Sequence, residues 1–329
     1  MGIPVHVESQ SSEFYNQVAS GKVPGHSALH KFGRNPDIDG GFEDIWNGGG
    51  VYTGHNATAA ETLEVFSSDG DDAGTLLSSG TATGGDATTL IDTGATFVSD
   101  GVAVGDVLIN DARQSHGIIS EIADTIATVR IMEDVTGLRN VSGDAYRIAT
   151  QASTGTPVVK LHHMLDGAFA EATEYIIMNG VTPVDTVGTY MRQSRAKCHG
   201  GVNEGAITSR QKVTTANIMM VLPVGYGSTM IAAYTIPANK RGCFVYWYAT
   251  LSKKQAAFSN IRLKYRPVGD SWQVLEEETV ASTGTSYIGR DFKLPKDSYS
   301  PMSDIKIEAD ADGPNVGIAA GFDMIMVDQ

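Results

Sequence analysis

The sequence has 329 residues, a net charge of −14, 41% hydrophobic and 19% charged residues, the profile of an ordered protein with material for more than one domain. No run approaches the roughly 18 consecutive apolar residues of a membrane span, and the start lacks the basic and apolar pattern of a signal peptide, so a soluble chain with no membrane partner is expected. An acidic chain is poorly suited to general nucleic-acid binding, and Cys198 and Cys243 offer neither a disulfide framework nor a thiolate metal site.

In chain order, a Ser cap and the Phe14/Val18 spacing predict one short helix over Ser11 to Ala19, ended at Gly21. Glycines at 21, 25, 33, 40, 41, 48, 49 and 50, with Pro24 and Pro36, then predict an extended arm over residues 1–52. Such a segment cannot fold on itself. Phe14, Tyr15, Phe32, Phe42, Ile45 and Trp46 therefore need a surface from a neighbouring subunit or from the chain's own sandwich.

Three phrases of this arm, Val23-Pro24-Gly25-His26, Lys31-Phe32-Gly33-Arg34-Asn35 and Trp46-Asn47-Gly48-Gly49-Gly50-Val51-Tyr52, resemble the N-terminal signature of a tailed-bacteriophage virion structural protein family. The resemblance implies a non-enzymatic head decoration or cement protein that binds the major capsid protein or other virion proteins. It equally fits a collar, tail-hub or fibre-attachment protein at the head–tail axis. A receptor- or glycan-binding virion module is a further alternative, and a glycan hydrolase the last. The implied location is the head or neck surface of the virion, assembled in the host cytoplasm. Phe14, Lys31, Phe32, Trp46 and Tyr52 are the arm's candidate interaction residues.

Beyond the arm nearly everything alternates with period two, as half-buried strands do. Leu63 and Val65 oppose Thr62 and Glu64; Ile261, Leu263 and Tyr265 oppose Arg262, Lys264 and Arg266. Phe244 to Tyr248 is bulky on both faces and predicts a central or interface strand, and Val316 to Val327 keeps one long register. Leu165 to Ala172 is a weaker helix candidate. The fold class is all-β: two β-sandwich, jelly-roll-like domains with an inserted small β module and the extended N-terminal arm. Its parts are read as the arm at 1–52, a host sandwich at 53–75 plus 151–213, the inserted module at 76–150, and a C-terminal sandwich at 214–329. The module resembles one that recurs in phage structural proteins, and Gly225 to Ala238 resembles the opening of the C-terminal sandwich in the same virion family. Because insertions at hairpin tips cost little loop entropy, the module is expected to stand alone and face outward.

Charge is segmented along the chain. Residues 1–189 hold 8 basic and 25 acidic side chains, whereas residues 190–270 hold 12 basic and 2 acidic. A basic belt of Arg192, Arg195, Lys197, Arg210 and Lys212, with Lys253 and Lys254 behind them, is expected to meet the acidic surface of a second copy in a trimer.

Catalytic, cofactor and metal residues are expected to be none. His162 and His163 are adjacent on a strand and should point to opposite faces. Glu308 to Gly313 mimics the first half of a calcium loop but has Ala319 at the twelfth position, so a solvated turn is expected, as for Asp69 to Asp72. A glycan binder would instead expose Tyr246, Trp247, Tyr248 and Trp272.

Overall fold

The computed structural model of the chain describes residues 7–133, 140–150, 154–252, 257–282, 285–291, 298–313 and 315–329. Among the described residues the one α-helix, α1 (Val7–Ala19), starts earlier than its Ser residues suggest. It ends as expected at Gly21, whose φ of 69° permits a closing pair of bonds, Gly21 N–H to the Val18 carbonyl and Lys22 N–H to that of Gln17. Strands follow in the order β1 (His26–Ile38), β2 (Glu43–Asp44), β3 (Glu61–Ser67), β4 (Leu76–Thr81), β5 (Gly84–Gly85), β6 (Thr89–Ile91), β7 (Val107–Asn110) and β8 (Ser115–Ala123). Next come β9 (Ile126–Glu133), β10 (Ala145–Ala149), β11 (Val158–Leu165), β12 (Glu171–Ile177), β13 (Val184–Tyr190), β14 (Arg192–His199), β15 (Ile207–Gln211) and β16 (Ile218–Leu222). The last are β17 (Ala233–Thr235), β18 (Lys240–Ser252), β19 (Ala257–Arg266), β20 (Gln273–Ser282), β21 (Thr285–Asp291), β22 (Asp304–Ala311) and β23 (Val316–Asp328). The chain is all-β with antiparallel sheets. Leu165 to Ala172 is no helix: β11 ends and β12 begins there, around a turn with Phe169 at φ 60°.

The chain divides into two compact units, residues 1–55, 168–170 and 230–329 in the first, residues 56–167 and 171–229 in the second. In the first, one sheet runs β1-β23-β18-β21 and the other β17-β22-β19-β20. With the two-residue β2, which pairs with β22, left aside, these orders number within the unit as first-eighth-third-sixth and second-seventh-fourth-fifth, the double Greek key of a jelly roll. Its core joins Leu29 and Ile38 of β1 to Phe244, Trp247, Ile261, Leu263, Ile305, Ile307, Phe322 and Met324.

Two expectations are corrected here. Residues 1–52 are not a free arm docking elsewhere, because β1 is the first jelly-roll strand, paired with β23 from His26 opposite Val327 to Ile38 opposite Val316. The sandwich does not open at residue 214 either; everything from Asn56 to Thr229 except residues 168–170 belongs to the second unit, inserted between the jelly roll's first and second strands.

The second unit holds a three-stranded sheet, β12-β11-β14, a four-stranded sheet, β13-β3-β15-β16, and a seven-stranded sheet, β4-β10-β7-β8-β9-β6-β5. Ser209 Oγ donates to buried Gln193 Oε1 at 2.6 Å between the first two sheets. The seven-stranded sheet is the inserted module, and all four residues of β7 are buried. Leu108, with Ile119, Tyr146 and Ile148, fills the module's own core, while Val107 and Ile109, with Ala149, pack against Val158 and Tyr175 of the host. The module therefore does not stand alone. It shares a core with the sandwich that carries it.

Two of this unit's polar clusters lie where the module meets its host. Asp72, expected in a solvated turn, is fully buried and accepts from Ser67 Oγ at 2.6 Å and from the N–H groups of Thr156, Glu204 and Gly205 at 3.0, 3.0 and 2.8 Å. It ties the chain entering the module to the chain leaving it. Further along the seam, His116 of β8 and His199 of β14 are buried with ring centroids 3.8 Å apart, and His116 Nδ1 lies 3.2 Å from Tyr175 Oη. Burial, then the neighbouring His116, Lys160 and Lys197, push the His199 pKa down to about 3.

Candidate functional site

The signature phrases serve the fold of their own chain. Along β1, Leu29, Lys31, Gly33 and Asn35 are buried while His30 and Arg34 are exposed. A side chain at Gly33 would collide with the Ile45 carbonyl and the Ala232 N–H, so this glycine is required by three backbones meeting. The glycine run at 48–50 closes a loop. The Trp46 ring lies over Gly48, Gly49 and Gly50 take φ of 69° and 62°, and Trp46 Nε1 donates to the Gly50 carbonyl at 3.1 Å. Tyr52 N–H then donates to Asp44 Oδ2 at 2.7 Å, and its ring meets Trp46 edge-on at 5.2 Å. Lys31, Trp46 and Tyr52 are thus buried at 3%, 3% and 2% exposure, and they are withdrawn as surface contacts. Phe14 is 40% exposed and Phe32 half-buried, so only these two of the arm's five candidates reach a surface.

Behind that loop lies a buried charged layer. Lys306 Nζ binds Asp44 at 2.7 Å and Glu308 at 3.0 Å, and Lys264 binds Glu308 at 3.0 Å. Burial raises the Asp44 carboxyl above its usual range, opposed by the Lys306 ammonium beside it. Glu308, the expected first residue of a turn, is therefore a buried ion-pair member. Trp272 is half-buried, with Arg266 and Lys306 over its ring and His55 packed 5.6 Å away.

The basic belt is largely matched within the chain. Arg192 is 7% exposed and donates to the Ala57 carbonyl at 2.8 Å. Arg210 pairs with Glu64 at 3.0 Å, and Lys212 pairs with Asp185. Arg195 and Lys197 are half-buried on β14, and Lys253 and Lys254 lie outside the described residues. The expected meeting of basic and acidic surfaces between copies is, at Arg210 and Lys212, a meeting within one copy. His162 and His163 also depart from expectation. A bulge in β11, with His163 at φ 52°, brings their rings to 4.9 Å, and His163 Nδ1 pairs with Glu171 at 2.8 Å. Among the described residues, no group of three or more His, Cys, Asp or Glu side chains is placed to hold a metal ion.

The outer face of the β1-β23-β18-β21 sheet carries partly exposed aromatic side chains, and Tyr287 of its edge strand β21 is exposed. A bulge between Phe244 and Tyr246 puts Phe244 and Trp247 both in the core and turns Tyr246 and Tyr248 outward. Tyr248 sits opposite Gly321 on one neighbour and Gly289 on the other, and it stacks on Tyr246 at 5.9 Å. The Tyr246 and Tyr287 hydroxyls meet above Gly289. Where the edge strands β20 and β21 come together, a cavity of about 550 Å³ is lined by Trp247, Glu278, Tyr287, Ile288, Gly289 and Arg290.

The chain matches no protein-family model and no curated protein. The glycan-binder criterion splits: Tyr246 and Tyr248 are half-buried on the outer face, whereas Trp247 is 1% exposed. Sequence reasoning missed Tyr287, Glu278 and Arg290 because no local phrase joins strands of two sheets; only the glycine at 289 between bulky neighbours hinted at a close approach.

Proposed function

We propose that this chain is a structural, non-enzymatic component of a tailed-phage virion, a decoration or cement protein on the head that binds the major capsid protein and self-associates as a trimer. The observation that supports the reading is where the virion-like phrases lie. They supply the first jelly-roll strand and the loop that locks it, so they serve architecture. Jelly rolls recur in viral capsid and lectin domains, an analogy of fold and not of chemistry. Quantitative mass spectrometry of purified particles tests the assignment. A copy number matching that of the capsid subunits is the expected result; a ring-sized number moves the protein to the collar, and absence from the particle refutes the reading. Light scattering of the isolated chain tests the trimer, and a monomer at all concentrations removes it.

A further inference from the structure

The charged layer behind the Trp46 loop brings an amine onto a carboxyl group largely withdrawn from water. β2 pairs with β22 so that Asp44 lies opposite Glu308, and Lys306, two residues before Glu308, projects from the same face of β22. The side chains of Lys306, Asp44 and Glu308 are 10%, 4% and 7% exposed. Lys306 Nζ lies 3.0 Å from Glu308 Oε2 and 2.7 Å from Asp44 Oδ1, a buried atom that accepts no hydrogen bond of ordinary geometry. Cγ of Asp44, one C–O bond beyond Oδ1, is therefore within about 4 Å of the nitrogen, close to the roughly 3–3.5 Å of atoms poised to react. The Trp272 ring covers the ammonium at 4.9 Å, and the Tyr52 N–H holds Oδ2 at 2.7 Å.

We infer that Lys306 and Asp44 condense into an intramolecular isopeptide bond, with Glu308 carrying the proton. One ammonium proton passes to Oδ1 within the ion pair, leaving a neutral amine beside a neutral acid. The Nζ lone pair then forms the N–C bond at Cγ, Glu308 Oε2 takes a second proton from the nitrogen and returns it to Oδ1, and the Cγ–Oδ1 bond breaks. Water leaves with those two protons; the third stays on the amide, and Oδ2 becomes the amide oxygen held by the Tyr52 N–H. No other reactant is needed, and each chain reacts once. Burial already raises the Asp44 carboxyl above its usual range, toward the protonated form that condensation uses. Keeping these charges out of water is costly, and the reaction removes one of each sign while Lys264 and Glu308, 3.0 Å apart, stay matched. The bond places residues 45–305, the second unit included, within one covalent ring. This inference does not rest on the particle assignment, and its failure would leave that assignment standing.

Intact-mass spectrometry of the denatured full chain reads the reaction directly, because release of water lowers the mass by about 18 Da. Nearly every chain is expected to carry the loss, with tandem spectra of a digest placing a branched junction between Lys306 and Asp44 and with no tryptic cut after Lys306. Lys306→Arg keeps the positive charge and should retain the full sequence mass. Glu308→Gln should slow the loss about a hundredfold or more. Asp44→Asn should lose about 17 Da, ammonia leaving in place of water. Should these variants not fold, the junction in the wild-type chain still decides the matter. Full sequence mass in the folded wild type after prolonged incubation, a loss that maps to a succinimide within one linear peptide, or an undiminished rate in Glu308→Gln would overturn the inference.

Discussion

Acidification should loosen the seam between the module and its host, and His199 sets the size of the effect. The imidazole is 8% exposed, lies against His116, and has Lys160 and Lys197 as its nearest charges, so the native state holds it neutral. Tyr175 completes its surroundings from β12 without supplying a negative charge. The folded pKa of about 3 lies below the ordinary 6.5, so the unfolded chain takes up the proton first. The contribution is therefore intact above about pH 6.5 and is lost as pH falls toward about 3. Linkage over that window makes the second unit about 2 kcal/mol less stable at pH 5 than at pH 7. Carboxylates titrate too, which makes a comparison necessary. Urea unfolding of the wild type and of His199→Phe, which keeps a ring against His116, should show the variant losing about 2 kcal/mol less between the two pH values. A direct NMR titration should find His199 still neutral at pH 5. Equal pH dependence in both proteins, or a His199 midpoint near 6.5, would refute the reasoning.

Asp72→Ala should cost about 3 kcal/mol in denaturant unfolding, since it strands the buried N–H groups of Thr156 and Gly205, the part-buried one of Glu204 and a buried hydroxyl. Replacing residues 76–150 by a Gly-Ser linker should lower the melting temperature of the remaining host strands, because Val158 and Tyr175 lose Val107, Ile109 and Ala149; an unchanged transition would restore the self-standing module. Reversing Arg210 and Lys212 to Glu together should change stability by no more than about 2 kcal/mol and leave self-association unaltered, as analytical ultracentrifugation at low and high salt would check.

Period-two alternation is enough to read the class of the fold, because each strand buries one face and wets the other: Ile261, Leu263 and Tyr265 are buried, their neighbours are not. Strand partners are not legible. Nothing local to residues 26–38 says that their neighbour lies at 316–327, and a glycine-rich phrase reads equally as an arm or as an edge strand crowded by other backbones. Bulges hide further features. One extra residue at Val245 rephases Phe244 and Trp247 onto one face, and another at His162 and His163 turns two rings together that simple alternation would separate. The segments do differ in net charge, but charge in sequence carries no address. Glu64 and Asp185 prove to be the partners of Arg210 and Lys212.

The pairing of β1 with β23 also bears on how the chain reaches its native state. His26 meets Val327 and Ile38 meets Val316, so the first jelly-roll strand waits for nearly the whole polypeptide before its neighbour exists. The second unit, by contrast, is bounded by residues 56 and 229 and can close while translation continues. During that interval an aromatic, glycine-rich edge is exposed with no strand beside it, a state open to proteolysis and to pairing with another nascent chain. Because β23 lies between β1 and β18, its arrival completes two ladders at once, so closure of the jelly roll is a late, nonlocal and all-or-none event.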